Sequence, residues 1–174
     1  MGYQFANVTI FLVEDNQPML DLVRSILETF GTGRVITAKD GEEAFKKYLD
    51  YNPDLIIADW MMKPMDGISL TRKIRQSENS PNRFVPVLLM TGFSERKRVE
   101  EARDAGVTEF LGKPFNTRDL YARLAQIIER PRKFVHSEDF FGPDRRRKRI
   151  EDYEGPLRRE DDPTPGNKKT DLPK

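Results

Sequence analysis

Leu55-Ile56-Ile57-Ala58-Asp59-Trp60 is the stretch whose reading decides the fold. Four apolar residues run into a carboxylate with no alternation of polar and apolar positions. A strand buried on both faces, as in a parallel sheet, has that pattern. Asp59 then falls at the C-terminal end of the strand, where open α/β sheets bind their ligands. An isolated Asp in such a place more often caps a turn. Asp59 is not isolated. Three other apolar runs in the first 115 residues also end in polar groups, at Glu14-Asp15, Thr91 and Lys113.

Outward from that strand, apolar runs and helical periods alternate. Val8 to Val13 reads as a first strand, and Met19 to Phe30 as a helix with Leu20, Val23, Ile26, Leu27 and Phe30 at helical spacing. Gly31 and Gly33 end it. Arg34 to Ala38 reads as a second strand, and Asp40 as the N-cap of a second helix with Glu42 and Glu43 in its first turn. Asn52-Pro53 stops that helix before the central strand. A loop from Trp60 to Gly67 leads to a helix over Ile68 to Gln76. Val85 to Met90 is a fourth strand, with Pro86 tolerable near its start. Ser94 caps a charged helix to Ala105, Glu109 to Gly112 is a short fifth strand, and Thr117 to Ile128 is an amphipathic helix. Five strands alternating with helices predict a doubly wound α/β fold with a parallel sheet.

The composition narrows the function. In 174 residues with net charge +1, no global field steers the chain toward nucleic acid or membrane. Absence of cysteine removes disulfides, thiolate nucleophiles and cysteine metal sites. No basic-then-apolar signal and no run of membrane-span length is present, so a cytoplasmic protein is expected. From Pro131 onward half of the residues are charged and six of the twelve prolines occur. Such a segment cannot offset its ordering entropy, so residues 131–174 are expected to be a disordered arginine-rich tail beyond a domain spanning 1–130.

Glu14, Asp15 and Asp59 put three like charges at one sheet edge. Either a carboxylate protonates or a cation binds. Oxygen-only ligands favour a hard ion, and Mg²⁺ fits best. Thr91 and Lys113 make sense beside such a site, since a hydroxyl and an ammonium can bind the oxygens of a phosphoryl group carried by Asp59.

With Met65-Asp66-Gly67, Thr91-Gly92 and Lys113-Pro114 added, residues 7–129 closely resemble the receiver domain of bacterial two-component response regulators, the CheY-like, flavodoxin-like fold. The resemblance implies that Glu14, Asp15 and Asp59 hold Mg²⁺ together with the backbone carbonyl in the Trp60-Met61 region. It further implies that Asp59 takes a phosphoryl group from a histidine kinase or phosphotransfer protein. Thr91 and Lys113 then sense it, and Phe110 stands where the family has its rotating aromatic. Two departures stand out: Phe110 lacks the hydroxyl of the commoner tyrosine, and Pro64 lies one position late, with Lys63 in its usual place. Such a protein signals and is not an enzyme in the turnover sense. A metal-dependent phosphatase also forms aspartyl phosphate, but it normally has a second Asp two residues after the nucleophile, where this chain has Met61.

Downstream no DNA-binding domain is expected, and the chain reads as a stand-alone regulator. Instead Gly142-Pro143-Asp144-Arg145-Arg146 and Gly155-Pro156-Leu157-Arg158-Arg159 form an imperfect repeat, each preceded by an aromatic residue. Arginine pairs with guanine O6 and N7, a carboxylate can accept from the opposite edge, and Phe141 and Tyr153 can stack. The tail resembles the arginine-rich segments of CheY-like cyclic di-GMP effectors, the Cle group, some of which act at the flagellar motor. That resemblance implies Asp144, Arg145, Arg146, Arg147, Arg158 and Arg159 as contacts. A solvated linker, or a non-specific segment binding polyanions or proteins, is the alternative. His136 is read as an ordinary tail residue.

Overall fold

The structure, a computed structural model, describes residues 4–92 and 96–145, with the backbone alone at Arg96 and Lys97. Its elements in chain order are β1 (Thr9–Val13), α1 (Gln17–Thr29), β2 (Arg34–Ala38), α2 (Gly41–Asp50), β3 (Leu55–Asp59), α3 (Gly67–Gln76), β4 (Val87–Thr91), α4 (Arg96–Asp104), β5 (Glu109–Gly112) and α5 (Thr117–Glu129). A hairpin of β6 (Phe134–Ser137) and β7 (Phe140–Pro143) follows. The strands β2-β1-β3-β4-β5 form one five-stranded sheet, parallel throughout. The doubly wound α/β fold expected from the strand pattern is what forms.

The continuous apolar runs divide residue by residue between two core layers, because successive strand side chains point to opposite faces. Phe11, Val13, Ile56, Ala58, Val87 and Leu89 pack with Phe45 and Tyr48 of α2 and with Ile68, Leu70 and Ile74 of α3. Ile10, Leu12, Leu55, Ile57, Leu88 and Met90 meet Leu20, Val23 and Leu27 of α1 and Leu120, Leu124 and Ile127 of α5. Each side of β3 therefore has its own hydrophobic layer, which is why no polar residue interrupts it before Asp59.

The helix starts follow local chemistry. Asn16, Asp40, Asp66 and Asn116 each accept a backbone N–H of the first turn, and Asn116 and Asp119 complete a reciprocal capping box. β4 begins at Val87, after Pro86, whose carbonyl still accepts from Ile56 N at 2.9 Å. Ser94, expected to cap α4, lies outside the described residues.

The C-terminal side differs most from expectation. Residues 131–143 do not trail from the domain; the compact unit runs to Pro143, and a second unit begins at Asp144. Composition misleads here because a few apolar residues suffice when the α/β domain supplies the opposing surface. Arg132 Nη2 reaches Glu109 Oε1 at 2.7 Å, and Glu109 is buried at the start of β5. The rings of Phe134 and Phe141 each lie 5.2 Å from Phe84, and Arg83 stacks over Phe141 at 4.6 Å. His136 packs edge-on against Phe141.

Beneath the hairpin lies Arg75, 1% exposed at the end of α3. Its Nε and Nη2 donate to Gly106 O at 3.2 and 3.0 Å, its Nη1 donates to Arg83 O at 2.8 Å, and its guanidinium faces Phe134 at 4.9 Å. Among the described residues no carboxylate pairs with it. Burial pushes its pKa down to about 10, which still leaves a cation at neutral pH. Gly106 has φ +94 and would meet Arg75 Cγ at 3.0 Å if it carried a Cβ, so both backbone and space require glycine. We expect Gly106→Ala to lower stability by more than about 1 kcal/mol, measured by urea unfolding.

Candidate functional site

Parallel pairing places the ends of β1, β3, β4 and β5 along one edge of the sheet. Glu14 and Asp15 follow β1, Asp59 ends β3, Thr91 ends β4, and Lys113 follows β5. Asp59 stands in register with Met90, and Thr91 with Gly112, so the carboxylate and hydroxyl residues end neighbouring strands and Lys113 lies just past the end of the next. The Lys113 backbone is itself held there, since its N–H donates to Thr91 O at 2.8 Å.

Glu14, Asp15, Asp59 and Lys113 come together. Lys113 Nζ lies 2.8 Å from Asp59 Oδ1 and 3.1 Å from Glu14 Oε2. Glu14 Oε1 accepts from Asn16 N at 3.1 Å. Carboxylate oxygens of Glu14, Asp15 and Asp59 lie within 4.8 Å of one another. Glu14, Asp59 and Thr91 are buried, whereas Asp15 is exposed and leaves an open side. Phe110 is half-buried and packs against the core layer that contains α3. Met61, two residues past Asp59, exposes its side chain, and the loop that follows contains cis peptides at neither Met61 nor Met62 but at Lys63-Pro64.

These groups satisfy what a small hard cation needs: oxygen donors only, close together, with one side open to water. The electrostatics agree. Burial raises the pKa of Glu14, the Asn16 hydrogen bond opposes that, and the neighbouring Asp59 charge raises it further. Burial pulls the Lys113 pKa down, but its hydrogen bonds and attraction to Asp59 and Glu14 outweigh this and raise it. Lys113 is thus the fixed counter-charge of the metal-free site.

A pH dependence follows with a definite sign. A carboxyl whose folded pKa is raised contributes stability below its unfolded value of 4.5, and that contribution is lost as pH rises through the folded value. Mg²⁺ binds the ionised form. The stabilisation it gives, read as the difference in Tm with and without the ion, should therefore grow as pH rises from 4.5 through the folded pKa and then level off. In Glu14→Gln that growth should be reduced.

Sequence reading did not find Arg75, Arg83, Phe84 or Glu109 as a set, because no local pattern links positions brought together only by tertiary folding. Of the expected tail contacts, Asp144 and Arg145 are described and belong to the second unit. Arg146, Arg147, Arg158 and Arg159 lie outside the described residues. Phe141, expected as a stacking surface, is instead used in the ring cluster beneath the hairpin. Among the described residues, no helix is long and apolar enough to cross a membrane.

Residues 10–125 match the response regulator receiver domain family. Chemotaxis protein CheY-3 of Vibrio cholerae is 33% identical over 124 residues, which cover 71% of this chain and 94% of that protein. The phosphate regulon transcriptional regulatory protein PhoB of Pseudomonas aeruginosa is 30% identical over 122 residues, covering 70% of this chain and 52% of PhoB. The chain thus spans about half the length of that relative. Among solved structures, the receiver domain of a Pseudomonas aeruginosa sensor histidine kinase, with a magnesium ion coordinated in its active site cleft, is 32% identical with a TM-score of 0.63. The match covers 70% of this chain and 98% of that one. Fold, strand-end chemistry and sequence match agree over the same span, and the chain belongs to the family of CheY-like response regulator receiver domains of two-component signalling.

Proposed function

We propose that this chain is a response regulator receiver that accepts a phosphoryl group on Asp59 from a histidine kinase or phosphotransfer protein. The observation that carries the reading is the double contact of Lys113 Nζ with Asp59 and Glu14. Receiver domains are signalling proteins rather than turnover enzymes, so the expected product is the modified chain itself.

In the transfer, an Asp59 carboxylate oxygen forms the new P–O bond while the donor's P–N bond breaks, or its P–O bond if the donor is a small acyl phosphate. The bonding electron pair leaves with the donor, as a carboxylate anion from an acyl phosphate or on the imidazole nitrogen of a phosphohistidine, which takes its proton from water. Lys113 stays cationic and moves from a carboxylate partner to an oxygen of the incoming group. Thr91, at the end of the adjacent strand, offers its hydroxyl to another oxygen. Glu14, Asp15, Asp59 and the Met61 carbonyl are the groups that would hold Mg²⁺, which when bound neutralises phosphoryl charge. Phe110 then repacks between two positions, and α4, β5 and α5 form the output face.

To locate the acceptor, the phosphorylated chain is reduced with borohydride, which converts an acyl phosphate to the alcohol, and digested. Homoserine at position 59 is expected; its appearance at Asp15 or Asp66 instead would reject the assignment.

The finer part of the reading concerns the tail. Asp144, Arg145, Arg146, Arg147, Arg158 and Arg159 bind cyclic di-GMP, with the flagellar motor as the place of action. The Gly-Pro repeat supports this, since two half-motifs suit a two-fold symmetric ligand. Similarity to CheY-3, a chemotaxis protein, supports the motor. Calorimetric titration with cyclic di-GMP, cyclic di-AMP and GTP separates the readings. Selective binding that Arg158→Ala weakens more than about tenfold is expected, a loss of about 1.4 kcal/mol. Equal, salt-sensitive binding of all three would mark a basic patch, and no heat with any would leave a solvated linker.

A further inference from the structure

The loop between Asp59 and α3 carries the Met61 carbonyl, and its far end is held by residues outside the acidic site. At Trp60 the chain is tied to the sheet, with Trp60 N donating to Met90 O at 2.9 Å and Trp60 O accepting from Gly67 N at 3.0 Å. At Met65 it rests on α2. Gly41 N, at the start of that helix, donates to Met65 O at 3.1 Å. A Cβ on Gly41 would lie 2.7 Å from Met65 Cγ, 2.8 Å from Met65 O and 2.9 Å from Met65 Cβ. Gly41 is outside left-handed backbone conformations, so closeness alone demands glycine there. Asp40 fixes the helix end by accepting from Glu42 N and Glu43 N, and Asp66 caps α3 immediately after Met65. The loop is therefore clamped between two capped helix starts and one strand end.

We infer that Gly41 is a positioning residue for the metal site: its missing side chain lets Met65 settle on α2, which sets the height of the loop and of the Met61 carbonyl. The inference rests on the reading of Asp59 and its neighbours as a Mg²⁺ site. One of the Cβ contacts is to a backbone oxygen, so a side chain at 41 cannot be accommodated by a rotamer change at Met65 alone. The loop backbone must move. Mg²⁺ requires near-octahedral ligands at about 2.0–2.1 Å, whereas Ca²⁺ accepts longer and more variable geometry. A displaced carbonyl consequently penalises Mg²⁺ more than Ca²⁺, a difference that simple loss of stability does not produce.

The test is Gly41→Ala in the full chain, with Mg²⁺ and Ca²⁺ titrated separately against the fluorescence of Trp60, the only tryptophan and the residue next to Asp59. Mg²⁺ affinity is expected to fall about 10-fold or more, as for other groups that orient metal ligands, and Ca²⁺ affinity by a clearly smaller factor. Leu124→Ala, in the opposite core layer, serves as the destabilised control and should leave both affinities unchanged. In metal-free protein, amide exchange at residues 61–67 should rise in Gly41→Ala and not in the control. Adding Met65→Gly removes two of the three contacted atoms and should recover part of the Mg²⁺ affinity, or restore folding if the single variant does not fold. Equal losses for both ions, unchanged Mg²⁺ affinity, or no recovery with Met65→Gly would overturn the role of Gly41. If wild type and Asp59→Asn bind Mg²⁺ equally, the underlying site assignment fails instead.

Discussion

A chain ended after residue 130 is expected to melt about 10–20 °C below one ended after residue 145, a difference of about 3–5 kcal/mol. Three losses add in the shorter chain. Glu109, 3% exposed, loses Arg132 at 2.7 Å and is left with a longer contact to Arg123 at 3.8 Å among its ion pairs. Removing the nearer partner of a buried charge leaves that charge less compensated, which costs more than the pair contributed. Arg75 loses the ring of Phe134 over its guanidinium. Its donors to Gly106 and Arg83 remain, so the cation stays bonded but less covered. Phe84, already 56% exposed, loses both of its ring partners and adds to an open apolar surface. In the longer chain, Phe134→Ala should reproduce part of the loss, about 2 kcal/mol. Coincident melting curves for the two lengths would mean that the hairpin contributes nothing to the domain.

Lys113→Met should slow phosphorylation of Asp59 by about 10²–10³-fold at saturating donor and Mg²⁺. Among the described residues, the ammonium is the one group ion-paired with both Asp59 and Glu14, and methionine keeps the length of the side chain without its charge. Its effect on stability has the opposite pH logic from that of Glu14. Because its pKa is raised, Lys113 contributes stability throughout the range below its unfolded value of 10.5, and the contribution is lost as pH rises through the folded value. At neutral pH the metal-free variant should therefore melt lower than wild type, and Mg²⁺ should close part of that gap by neutralising the same carboxylates. A variant phosphorylated at the wild-type rate would remove Lys113 from the chemistry.

The sheet and its site were legible for one physical reason. Strands buried on both faces leave unbroken apolar runs, and a parallel sheet puts all their polar ends at one edge. Leu55 to Asp59 carries both signals in five residues. Asp40, Glu42 and Glu43 were readable as a helix start because capping is local. The hairpin was not readable in the same way. Its turn, Glu138-Asp139, lacks the Asn-Gly or Asp-Gly signature, and no non-glycine residue described has positive φ. Its apolar residues are few, and their partners, Phe84, Arg83 and Arg75, lie more than forty residues upstream. Gly41 was hidden for a related reason. Next to Asp40 it reads as part of a cap, and only the packed loop shows that Met65 occupies the space of its side chain.

The central claim is that Asp59 is a Mg²⁺-dependent phosphoryl acceptor, and intact mass after incubation with acetyl phosphate tests it most directly. Wild type with Mg²⁺ should gain the mass of one phosphoryl group, the gain should vanish when the ion is chelated, and Asp59→Asn should show none under either condition. Equal labelling of Asp59→Asn, or labelling indifferent to chelation, would contradict the account.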